Sequence, residues 1–96
     1  MLLINKGYKQ GDTVSLKLIN SDELIAEFDS ETDTVIKIRR PLALTMAQTG
    51  LGMMPWMLLG SDEFITLQKA HVMAVSASKP DAASQYTQGT TGIALR

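Results

Sequence analysis

Residues 13–40 read TVSLKLINSDELIAEFDSETDTVIKIRR, and along them apolar and polar side chains alternate in three successive runs. Val14, Leu16 and Leu18 fall on one side of the first run, with Ser15 and Lys17 on the other. In the second, Leu24, Ala26 and Phe28 share a side while Glu23, Glu27 and Asp29 flank them. The third carries Val35, Ile36 and Ile38 between Thr34 and Lys37. Side chains two apart share a face in an extended chain, so this period predicts three strands. Asn20-Ser21-Asp22 and the acidic stretch 29–33 supply the turns, because short polar side chains can bond the backbone where it reverses. Strands spaced this closely fold as an antiparallel meander, the beginning of a small barrel or sandwich.

Outward from that stretch the chain divides simply. Residues 1–12 read as a lead-in with a candidate strand at Leu2–Ile4, closed by Gly11-Asp12. From Pro41 to Ser61 no side chain is charged. Length alone would let this segment cross a membrane as a helix. Gly50, Gly52 and Pro55 at its middle speak instead for two strand-like arms, about 42–47 and 53–59, around a turn at 48–52. The apolar side chains of such a hairpin fall on both faces. One face joins the core, and the other must meet something, most simply a second copy. Residues 64–67 and 72–75 read as two further strands, with Gln68-Lys69-Ala70-His71 as a polar corner between them. Domain organisation is therefore a β domain over 1–78 and a tail over 79–96. The tail is rich in Ala, Ser, Thr, Gln and Gly and shows no periodicity, which predicts a mobile or loosely packed segment.

Composition narrows the chemistry. Ninety-six residues make one small domain, and small β domains recover missing burial and cover bare strand edges by associating. A net charge of −1 gives no global field for nucleic acid, so any such contact rests on local patches. With no cysteine there is neither disulfide nor thiolate metal site. Of the six methionines, Met46, Met53, Met54 and Met57 cluster in the uncharged segment, where adaptable packing explains them better than copper. No phosphate loop, histidine pair or nucleophile elbow occurs, and His71 has no orienting acid nearby in sequence, so the expectation is a protein that is not an enzyme and carries no cofactor. The acids from Asp22 to Asp33 read as a solvated face, not a ligand loop for a metal. The N-terminal apolar run is too short for a secretory signal, which makes a cytoplasmic, non-membrane protein the expectation.

The stretch from Ile19 to Ser30, followed by Val35-Ile36-Lys37-Ile38, resembles the first motif of Sm-like proteins, in particular their bacterial Hfq branch. The corner and last strand, 69–76, are similar to the second motif of that branch, where a Lys-His pair precedes a short edge strand. The resemblance spans about 13–78. Ala26 stands where the family usually has glycine, Asp33 lies one place out of register, and Ile36 occupies the position of an asparagine. A second register would put Leu58-Leu59-Gly60 on the second motif.

The resemblance implies a strongly bent five-stranded barrel of the SH3-like class, here with an extended hairpin between its third and fourth strands. It also implies a homo-oligomeric ring closed through the fourth and fifth strands. Single-stranded RNA or DNA would bind without catalysis at Gln68, Lys69 and His71, with Lys37, Arg39 and Arg40 as a secondary patch. For the three residues on the strand, a solvated face paired with acids is the competing reading. No aromatic residue occurs at the corner to stack a base, and Thr34 takes the place of the family's loop aromatic. A ring serving structure or protein interaction alone is the rival expectation.

Overall fold

The computed structural model describes residues 7–48 and 50–92. Six strands form one antiparallel sheet: β1 (Thr13–Leu18), β2 (Glu23–Glu31), β3 (Val35–Ala47), β4 (Gly50–Pro55), β5 (Phe64–Gln68) and β6 (Val72–Ala77). One turn of 3-10 helix, Lys69–His71, joins β5 to β6, and α1 (Pro80–Gly92) ends the described chain. The all-β expectation holds, with one helix added, and there are six strands where five were expected. The anticipated strand at Leu2–Ile4 lies outside the described residues.

The meander appears where alternation put it. β1 pairs with β2 from Thr13↔Glu27 to Lys17↔Glu23, and β2 pairs with β3 from Leu24↔Ala43 to Glu31↔Ile36. Val14, Leu16, Leu18, Leu24, Ala26, Phe28, Ile36 and Ile38 make one buried cluster. Each large aliphatic side chain taken fully from water there is worth about 1.5–3 kcal/mol before entropy is charged against it. The first turn holds itself with Ser21 in the left-handed region at φ 77°. The Ser21 N–H donates to the Leu18 carbonyl at 2.9 Å, and the Asp22 N–H to Asn20 Oδ1 at 3.0 Å.

β3 is the departure from the sequence reading. Its 13 residues fuse the third strand of the meander with the first arm of the uncharged hairpin. On one side β3 pairs with β2 from Ile36 to Ala43; on the other it pairs first with β5 (Val35↔Gln68 to Arg39↔Phe64) and then with β4 (Leu42↔Pro55 to Ala47↔Gly50). The exchange of partners happens at a bulge. Glu27 faces Arg39 and Ile25 faces Leu42, so β3 holds Arg40 and Pro41 opposite Ala26 alone. Pro41 has no N–H to lose from a ladder, and bulges are where strands tolerate proline. The small, fully buried Ala26 sits inside this bend, at the position where the resembled family has glycine.

Arg40 adopts φ 52°, left-handed for a residue with a side chain, at a cost of about 1–3 kcal/mol. Three contacts hold it there. Its N–H donates to the Glu63 carbonyl at 2.8 Å, its guanidinium meets the Glu63 carboxylate at 3.0 Å, and the Tyr86 hydroxyl donates to the Arg39 and Arg40 carbonyls at 3.0 Å each. Tyr86 belongs to α1, so the region expected to be loose folds as a helix and docks by one buried ring. Ile25, fully buried though opposite in parity to Leu24 and Ala26, shares the face of β2 and β3 with Leu42, next to α1. Ala82, Ala83, Gly89 and Thr90 are half-buried on the same side of the helix as Tyr86, so its inward face is one large ring among small side chains.

The hairpin turn is tighter than expected. β4 begins at Gly50, whose φ of 125° few residues other than glycine adopt, so Leu51 and Gly52 belong to the strand. Residues 56–59, expected as the end of the second arm, are a run of bends that includes Leu58-Leu59 of the alternative register. Gly52 is required for space as well: a Cβ there would lie 2.9 Å from Thr45 Oγ1. No helix among the described residues is long and apolar enough to cross a membrane.

Tyr86→Phe removes the hydroxyl that secures the bulge and should lower unfolding free energy by about 1 kcal/mol in a urea titration. Burial pushes the Tyr86 phenol up to about 12. A raised phenol pKa favours the native state fully below the unfolded value of about 10 and loses that contribution as pH rises through the folded value. Wild type should therefore lose stability between roughly pH 10 and 12, and Tyr86→Phe should lose markedly less across the same window.

Candidate nucleic-acid interface

Period two assigns the faces of the β3–β5 ladder. Ile36, Ile38, Ile65 and Leu67 turn to the core. Val35, Lys37 and Arg39 therefore point outward on β3, and Phe64, Thr66 and Gln68 on β5, with Lys37 opposite Thr66 and Arg39 opposite Phe64. This gathers Lys37 and Arg39 with Gln68 on one outer face, although Gln68 lies far from the other two in sequence. Lys69 and His71 sit past the end of the same face on the 3-10 turn. Arg40 stands at the opposite end, turned by the bulge toward Glu63.

The face also contains a ring that sequence reasoning passed over. Phe64 is 42% exposed, with Lys37 Nζ 5.2 Å and Arg39 Cζ 5.6 Å from its ring centroid. Both lie within cation–π range. Phe64 could have been found from the sequence, since Ile65 and Leu67 facing inward oblige Phe64 to face outward. Trp56 plays a different part. It packs against the core, and its indole N–H donates to Asp22 Oδ2 at 3.1 Å.

The corner is tied down by backbone bonds. The Lys69 N–H donates to the Thr34 carbonyl at 2.8 Å, and the His71 carbonyl accepts the Ile19 N–H at 3.0 Å. These contacts bring both polar turns of the meander up to the corner, leaving the side chains of Gln68 and His71 exposed.

Most of the cations already have partners. Lys69 Nζ lies 2.7 Å from Glu31, and Arg39 meets Glu27 at 3.3 Å and also Glu63. Arg40 shares Glu63. The Arg39 guanidinium hydrogen-bonded to Glu63 holds that carboxyl below its ordinary range, while Glu63 in turn raises Arg39. Bonds from Gln10 and Ser30 depress Asp29, with the Lys37 charge adding to them. Lys37, Arg39, Arg40 and Lys69 thus stand beside Glu27, Asp29, Glu31 and Glu63, a face of nearly balanced charge. Among the described residues, no three His, Asp or Glu side chains gather as a metal ion would require.

A scan against protein-family models and a search of curated proteins each found no match to this chain.

The depressed Glu63 favours the folded state above the ordinary carboxylate pKa, a contribution lost as pH falls through the lower folded value. Glu63→Gln should melt below wild type at neutral pH. The gap should close as pH is taken below about 4, where the wild-type carboxyl also becomes neutral.

Proposed function

We propose that this chain is an Sm-like subunit that closes a homo-oligomeric ring by strand pairing, and that the ring binds single-stranded nucleic acid, RNA foremost, without catalysis. The carrying observation is the relation between β5 and β6. They are consecutive and only three residues separate them, yet among the described residues each pairs on one side alone: β5 with β3, β6 with β1. Two strands with one described partner each, at opposite ends of one sheet, invite head-to-tail pairing between copies, which would satisfy their outer N–H and C=O groups if the rotation closes. With the uncharged hairpin set aside as an insertion, the order β5-β3-β2-β1-β6 and the 3-10 turn before the last strand support the family resemblance.

In such a ring Gln68, Lys69 and His71 recur once per subunit and offer donors to phosphate and base edges. Lys37 and Phe64 add a cation beside a flat ring, the pairing that base stacking uses. The balanced charge of the face favours a second reading, a ring whose role is structural or directed at proteins. Phosphate would have to displace Glu31 from Lys69 before gaining that charge.

Light scattering should return several subunit masses, independent of concentration; a monomer at all concentrations would refute the ring. Fluorescence anisotropy with labelled A-rich and U-rich oligonucleotides separates the two roles. Nucleic-acid binding should weaken steeply with salt. Lys69→Ala/His71→Ala should abolish it, and Phe64→Ala should weaken it by roughly 5–150-fold, one stacked base being worth about 1–3 kcal/mol. A ring that binds neither oligonucleotide at low salt leaves the structural role.

A further inference from the structure

The β3–β4 ladder puts Leu42, Leu44 and Met46 on the same face as their cross-strand partners Pro55, Met53 and Leu51. All six are apolar. At the tip, Met46 is 81% exposed with Leu51 beside it. At the base, Leu42, Met53 and Pro55 form one wall of a cavity of about 420 Å³ whose other walls come from Met57, Ile65 and α1, with the charged Arg40, Asp62 and Glu63 also lining it. Of the nine exposed large apolar side chains among the described residues, Met46 and Leu51 lie on this face, Met54 on the opposite one, and Met57, Leu58 and Leu59 on the bends that follow the hairpin. Clustering of this kind marks an interaction surface.

We infer that this face is an interface with the same face of a second copy, packed antiparallel so that the tip of each hairpin seats over the cavity at the base of the other. Two observations identify the occupant. First, the segment from Pro41 to Ser61 has no charged side chain, so a partner covering it must likewise bring no charge, and the chain's own hairpin meets that condition. Second, the face is self-complementary. A protruding pair and a hollow lie on one strand pair four residues apart, about 13 Å at the usual rise per residue. A two-fold axis midway between them places each protrusion on the partner's hollow, and such an interface closes at two copies instead of propagating. The surface is separate from β5 and β6, so it doubles a ring where one forms and dimerises the subunit where none does.

The test reads mass and proximity. Met46→Glu changes a highly exposed side chain and should leave folding intact by circular dichroism while halving the mass measured by light scattering. In a chain with no cysteine of its own, Met46→Cys/Pro55→Cys should form disulfides between copies under mild oxidation. A mass unchanged by Met46→Glu overturns the interface. A halved mass without the cross-link overturns the tip-over-base arrangement, because tip and base would then not meet. Wild type at the mass of a single ring or a monomer overturns the proposal outright. Loss of the ring alone would show as wild-type dimers, which Met46→Glu converts to monomers.

Discussion

One strand carries this architecture, and one bend lets it do so. β3 could not serve β2, β5 and β4 if it ran straight, because its outer side would then take a single partner. The bulge at Arg40 and Pro41 redirects it, so the early half closes over the core with β5 while the later half leaves the body of the domain with β4. Strain at Arg40 is sustained from three sides: the backbone of Glu63, the carboxylate of Glu63 and the hydroxyl of Tyr86. The bend is therefore held by elements both before and after it in space, and α1 takes part in the sheet geometry through a single ring.

That arrangement sets the chemistry of the outer face. Because Arg39 and Arg40 are engaged with Glu27 and Glu63 and Lys69 with Glu31, the basic side chains least committed to a carboxylate are Lys37, lying against Phe64, and the exposed His71. Ring closure would multiply the corner but also the acids around it. Any affinity for nucleic acid would then come from directed contacts and stacking, with little help from long-range attraction.

Much of the fold was legible because it rests on period two. Leu16, Leu24, Phe28 and Ile38 are buried where alternation put them, and the polar corner at 68–71 lies between two strands as read. The fusion of two strands across Arg39–Pro41 was not legible. Two charges and a proline resemble a strand end, and only the clamp from Glu63 and Tyr86, distant in sequence, turns them into a bulge. The helix of the tail was hidden for a related reason, since its inward positions, Ala82, Ala83, Tyr86, Gly89 and Thr90, are spaced as a helix but carry one large side chain. The sequence puts Lys37 and Arg39 in one patch and Gln68 at the corner, and strand pairing brings the three to one face. The setting of Phe64 was not legible because its partners Lys37 and Arg39 reach it across a ladder.

Trp56 has a use beyond its structural role. It is the only tryptophan in the chain and marks the seam where the hairpin leaves the body, packed on the core and bonded to the turn at Asp22. Its emission is consequently a natural gauge of that seam. Light from this one indole would shift to the red when the hairpin swings away, even while the strands beneath keep their shape.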